Sequence, residues 1–255
     1  MSDRESGGPG AGEAFADAYD AKILHPRTRA LYGGGDFYNV GDWSRGAAEL
    51  PRACADLVHR HVELARVAEG GGPARRILDV GCGLGAGTSL IAGAFPGAGV
   101  LGVNLSDRQV ERARRRYPDA EFRVMDATRL DLADGSYDLV VSVEAAFHFD
   151  TRLAFFEEAH RVLRPGGRLV LSDVLFHTTE WIGSWSVPAA NDLPGPSAYA
   201  ELCRRAGFAA VRLEEVTAET WLGFCRHLRT RPGMAFLAEQ LEVSVRCYLL
   251  ARLTK

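Results

Sequence analysis

From Arg76 to Asp173, short apolar runs alternate with segments whose apolar residues recur at helical spacing. The runs at 76–80, 99–104, 121–125, 138–143 and 168–173 are read as strands. Helices are predicted near 87–95, stopped by Pro96-Gly97, then from Ser106, and near 151–163, ended before Pro165. Ser106 followed three residues later by Gln109 has the form of a capping box. Strands alternating with helices make an α/β fold, a parallel sheet covered on both faces. Ligands in such sheets sit beyond the carboxyl ends of the strands, where the strand order reverses. Asp79, Asn104, Asp126, Glu144 and Asp173 all fall at predicted strand ends. Residues far apart in sequence therefore converge on one crevice.

The flanks read differently. Residues 1–13 are Gly-rich and polar, the composition of a disordered tail. Residues 14–70 are expected to form a helical cap or lid. Leu57, Val58, Leu64 and Ala65 keep helical spacing within 52–67, and a loop from Gly33-Gly34-Gly35 to Trp43 precedes them. Gly70-Gly71-Gly72-Pro73 breaks the chain before the core, taken as 71–255. Residues 174–196 interrupt the alternation and are a candidate substrate-pocket segment. A helix near 197–206, a strand near 209–216, a helix from Thr217 and a last strand near 243–254 follow.

The first strand runs into Asp79 and then into Gly81-Cys82-Gly83-Leu84-Gly85-Ala86. Glycines there permit a tight turn and close approach of a ligand to the main chain. The N–H groups that open the next helix suit a nucleotide-like cofactor. The run also fits the loose dinucleotide pattern G-x-G-x-x-G/A. Against a nicotinamide cofactor, the second strand ends in Asn104 where such a site wants an acidic residue. Asp79 would moreover meet a positive group there, not a pyrophosphate.

Composition narrows the classes. With 255 residues, 47% hydrophobic and 25% charged, the chain has the profile of one globular domain with a full core. A net charge of −3 leaves no footprint for nucleic acid. No apolar run is of membrane-spanning length, and the N-terminus lacks an apolar signal core. Five widely spaced cysteines fit a reduced, cytoplasmic protein rather than a disulfide framework. His59 and His61 point to different faces of a helix, no zinc spacing or magnesium-type carboxylate cluster is present, and no metal is expected.

Asp79-x-Gly81-x-Gly83-x-Gly85 resembles the first motif of the class I S-adenosylmethionine (SAM)-dependent methyltransferases. Four further segments follow in the same order as in that family. They are Gly102-Val-Asn104-Leu105-Ser106 with Gln109, Asp126-Ala127, Ser136 to His148, and Arg164-Pro-Gly-Gly before Arg168 to Asp173. The likeness covers about residues 37–175 and is to the small-molecule, natural-product branch. It implies a Rossmann-like, seven-stranded, mostly parallel sheet whose last strand is antiparallel. It implies SAM as cofactor, with S-adenosyl-L-homocysteine as product, and a small-molecule methyl acceptor.

By that resemblance Asp126 accepts from the adenine amino group and Ala127 offers a backbone N–H. Asn104, Leu105 and Gln109 belong to the ribose-side segment, Asn104 replacing the acidic residue common in the wider family. Glu144 joins the cofactor set. Tyr38-x-x-Gly41-x-Trp43 resembles a lid over the methionine end. His148 and Asp173 occupy the positions of acceptor-side catalytic residues. His177, Trp181 and Trp185, with Trp43, are candidates for the acceptor pocket. O-methylation in bacterial secondary metabolism is favoured over C- or N-methylation, and over a non-methylating use of SAM such as cyclisation. The oligomeric state stays open, a homodimer included.

Overall fold

The computed structural model describes residues 11–66, 74–179 and 187–255. Three helices come first: α1 (Ala11–Ile23), α2 (Pro26–Leu31) and α3 (Leu50–Arg66). The alternating region follows, as β1 (Arg76–Val80), α4 (Ala86–Ala94), β2 (Gly99–Asn104), α5 (Asp107–Arg116), β3 (Glu121–Val124), β4 (Tyr137–Val143), α6 (Arg152–Val162) and β5 (Leu163–Phe176). Then come α7 (Pro196–Arg205), β6 (Ala210–Glu215), α8 (Trp221–Arg229), α9 (Ala235–Ser244) and β7 (Val245–Thr254). One seven-stranded sheet runs in the order β3-β2-β1-β4-β5-β7-β6. The first five strands are parallel, and β7 is antiparallel to both β5 and β6. This is the Rossmann-like architecture that the resemblance implies. The order reverses between β1 and β4, so the crevice opens above those two strands.

Alternation along the strands explains the two layers. Leu78, Val80, Val140, Leu169 and Leu171 pack with Phe155, Phe156 and Tyr199 on one face. Ile77, Leu139, Val141 and Val170 pack with Val58, Val62 and Ile91 on the other. Leu57, Val58 and Ala65 of α3 are buried, as the helical spacing predicts.

The predicted strands are all present, with shifts at their edges. β5 continues to Phe176 because β7 supplies antiparallel partners from Arg168↔Thr254 to Phe176↔Val245. It thereby takes three residues from the expected pocket segment. The expected last strand near 243 begins at Val245 instead, after α9. α1 starts at Ala11, inside the expected tail, whose first ten residues lie outside the described ones. Among the described residues no helix is long and apolar enough to cross a membrane.

Candidate active site

The site grows from the turn after β1. Gly81, Gly83 and Gly85 have φ of +79°, +54° and +91°, a region that side chains rarely adopt. A Cβ on Gly81 would stand 2.5 Å from Ala145 Cβ, and one on Gly85 would stand 2.7 Å from Ala113 Cβ. These two glycines let the turn pack onto its neighbours. Gly83 differs, since its nearest neighbour would be Gln109 Oε1 at 3.8 Å, across the space left for a ligand. The N–H groups of Gly81 and Cys82 are both taken by Val103 O, at 2.9 and 3.0 Å.

Above the turn lies a cavity of about 540 Å³, within the size range of small-molecule sites. Tyr38, Gly81, Gly83, Asn104, Leu105, Gln109, Asp126, Ala127, Glu144 and His148 all line it. The structure thus brings together most of the residues that the sequence singled out. Asp126 Oδ1 accepts from Thr128 N and Thr128 Oγ1, each at 2.8 Å, which fixes the turn that carries Ala127. Asp126 Oδ2 makes no hydrogen bond among the described residues. Ser106 Oγ caps α5 by accepting from Gln109 N at 3.1 Å. The capping box is only half formed, because the Gln109 side chain turns to Asn104 and Asp20 instead.

Glu144 follows β4 directly with φ of +55°, the one non-glycine residue with positive φ among those described. Its Oε2 accepts from Val40 N and from Tyr248 Oη, both at 3.0 Å. The first bond ties the 38–43 loop over the cavity. Burial pushes the carboxyl up to about 8, a rise that those two bonds oppose and the nearby Asp173 charge assists. His148 closes a short 3-10 turn, Ala146–His148. Its ring lies 4.0 Å from Phe147, 5.0 Å from Tyr19 and 5.5 Å from Phe15, centre to centre.

Other candidates are elsewhere. Asp79 sits behind the glycine turn, 3% exposed, with Thr88 Oγ1 donating to its Oδ2 at 2.6 Å. Burial without a cation raises its carboxyl to about 6. Asp173 does not line the cavity. Arg152 Nε donates to its Oδ2 at 2.7 Å and Tyr199 Oη donates to the same oxygen at 3.0 Å, so it is the anion of a buried ion pair. Trp43 donates from Nε1 to Val40 O at 2.9 Å and packs 4.7 Å from the His227 ring, against Gly223 of α8. It holds the 38–43 loop against α8. His177 is exposed, with its N–H on Ser244 O at 3.0 Å. Trp181 and Trp185 lie outside the described residues.

The sequence reading expected helix at α1 but did not bring its residues into the site. Phe15, Ala16, Tyr19 and Ile23 roof the cavity. Phe15, Tyr19 and Ile23 stand four residues apart, an apolar stripe that helical periodicity could have exposed. Tyr248, which holds Glu144, left no local signal, because its strand is completed by a partner far away in sequence.

The lining suits SAM. Glycine opens the turn where a ligand must approach, the acceptors Asn104 and Asp126 stand apart along the crevice, and aromatic rings with a carboxyl group surround the end near β4. Aromatic faces favour a sulfonium, and a carboxyl oxygen can accept from an ammonium.

Comparison with known proteins agrees. A family model described as a methyltransferase domain matches residues 78–171. Erythromycin 3''-O-methyltransferase of Saccharopolyspora erythraea is 30% identical over 236 residues, 83% of this chain and 72% of that one. Among solved structures, the [4+2]-cyclase SpnF is similar with a TM-score of 0.72 at 22% identity, over 96% of this chain and 97% of that one. Geranyl diphosphate C-methyltransferase from Streptomyces coelicolor A3(2) is similar with a TM-score of 0.74 at 19% identity, over 95% and 97%. At those identities the two structures show the fold, whereas the first relative shows kinship over most of both chains. The chain belongs to the class I SAM-dependent methyltransferases that act on small molecules, and S-adenosyl-L-methionine is its cofactor.

Proposed function

We propose that the protein methylates a hydroxyl group of a small natural-product acceptor, with His148 taking the proton. One observation carries this reading. The His148 imidazole lines the cavity at the end of β4, packed by Phe15, Tyr19 and Phe147, where it can meet an acceptor. Bound SAM supplies an activated methyl group on sulfur. The chain's part is to align the acceptor with that methyl and exclude water, an effect worth about 7–11 kcal/mol. A hydroxyl is a poor nucleophile until its proton is removed, and a neutral imidazole is suited to remove it. α1 and Tyr38 line the cavity of about 540 Å³, a size that suits a small acceptor. The kinship with an enzyme named as an O-methyltransferase supports the same choice. Tyr38, Asp126, Ala127 and Asn104 are assigned to the cofactor, and Glu144 to the boundary between cofactor and acceptor.

The rival is a reaction that keeps SAM bound without transferring its methyl, as the structural likeness to a cyclase invites. A screen of hydroxylated, phenolic and amine acceptors with methyl-labelled SAM separates the two. O-methylation gives labelled product and S-adenosylhomocysteine in equal amounts, and His148→Ala lowers kcat by about 10²–10⁴ with cofactor binding kept. A transformed acceptor with no label and no S-adenosylhomocysteine would favour cyclisation. Label on nitrogen or carbon, with His148→Ala fully active, would remove the imidazole from the chemistry.

A further inference from the structure

Asn104 poses a chemical problem. The position calls for an acceptor toward ribose hydroxyls, and an amide has a donor side as well as an acceptor side. The structure contains the device that decides which side faces the cofactor. Asp20 of α1 is 1% exposed, and its carboxylate meets two groups of the core. Ser106 Oγ donates to both its oxygens at 2.8 Å, and Gln109 Nε2 donates to Oδ1 at 2.6 Å. A carboxylate only accepts, so the Gln109 amide must turn its nitrogen to Asp20. Its oxygen is thereby aimed the other way, at Asn104, and Asn104 Nδ2 donates to Gln109 Oε1 at 3.3 Å. With Nδ2 turned to Gln109, the planar amide sets its carbonyl oxygen on the side away from Gln109, as the acceptor it offers to the cavity that it lines.

We propose that Asp20, on the lid helix, is the positioning residue of the ribose site: through Gln109 it fixes the Asn104 amide so that its oxygen accepts from the ribose hydroxyls. Asn104 then does the work of a carboxylate, and the charge that makes it do so stands two side chains away. The lid and the ribose site are one hydrogen-bonded unit. The proposal rests on the ribose lying at Asn104, and the experiment tests that separately.

S-adenosylhomocysteine and its 2′,3′-dideoxy analogue are titrated calorimetrically into wild-type protein and variants. Wild type should prefer the natural ligand by about tenfold or more, the worth of a hydrogen bond or two. Asp20→Asn should lose most of that preference, because one amide oxygen must serve both Ser106 and Gln109. Gln109→Met, which leaves Asp20 in place, should lose it equally, and it stands in for Asp20→Asn if that variant folds poorly. Asn104→Asp alone should bind worst, its carboxylate facing the fixed Gln109 oxygen. Asn104→Asp combined with Asp20→Asn lets Gln109 turn over, and affinity should return to within a few-fold of wild type. A merely structural Asp20 predicts the opposite, a double variant weaker than either single one. Full hydroxyl preference in both Asp20→Asn and Gln109→Met, or no recovery in the double variant, overturns the proposal. Full preference in Asn104→Ala would instead show that the ribose lies elsewhere.

Discussion

Asp79 is held in surroundings that disfavour its own charge. It is buried, its hydrogen-bond partner is a neutral hydroxyl, and its carboxyl is raised from 3.8 to about 6. A raised carboxyl binds more protons folded than unfolded, so stability falls as pH climbs from about 4 to 6, and the full cost stands at neutral pH. About two pH units correspond to about 3 kcal/mol. Asn keeps an acceptor for Thr88 without the charge. Asp79→Asn should therefore raise the melting temperature of the ligand-free protein at pH 7.5 and change it little at pH 4. The same variant should bind S-adenosylhomocysteine about tenfold more weakly at pH 7.5, since a negative charge behind the glycine turn favours the ligand's ammonium. Melting curves with and without ligand check both halves. A ligand-free protein less stable at pH 7.5 would show that the charge is compensated. Sequence identified Asp79 by position and sign of charge, but not its depth. Depth depends on Thr88 and the packing of α4, which a local motif does not encode.

Elements were legible where their own pattern decides them. Most of the parallel strands are apolar runs with a polar residue at or near the end, the edge strand β3 (Glu121–Val124) being the exception, and the helices that follow have start or stop signals, such as Ser106 or Pro165. Legibility failed where a distant partner decides. β5 extends to Phe176 because β7 lies beside it, and α9 replaces the start of the expected last strand. Asp173 illustrates the cost of reading position alone. Being at a strand end suggested chemistry, but Arg152 of α6 and Tyr199 of α7 claim it from the other layer. Arg152 also donates to Val174 O at 2.7 Å and to Asn191 O, joining β5, α6 and the turn before α7. Removing one partner leaves a buried guanidinium unpaired, at about 3–5 kcal/mol. Asp173→Ala should lower stability by that amount in denaturant melts. Unchanged stability with kcat abolished would return Asp173 to the catalytic group.

At the scale of the molecule, the sheet supplies the floor of the site and the N-terminal helices its roof. Five strand ends were visible in the sequence, and Asn104, Asp126 and Glu144 do converge on the cavity. The roof was legible only as a helical cap. Its role comes from where α1 lands, and that is set by the Asp20 bonds to Ser106 and Gln109. Phe15, Ala16, Tyr19 and Ile23 face the cavity, so much of the apolar face of α1 packs around ligand space instead of against solid core. A ligand in that space gives these side chains a surface to pack on. At a hundredfold excess over its dissociation constant, S-adenosylhomocysteine should stabilise the fold by about 2.7 kcal/mol. For a domain of this size that is a rise in melting temperature of about 5–10 °C. The gain should concentrate in α1. Amide hydrogen exchange there should be fast without ligand and slow markedly with it, while β1 and β4 are protected throughout. Phe15→Ala with Tyr19→Ala should shrink both the melting shift and the α1 protection. Protection gained at the glycine turn alone, with α1 exchange unchanged, would make α1 a fixed wall rather than a lid that the cofactor closes.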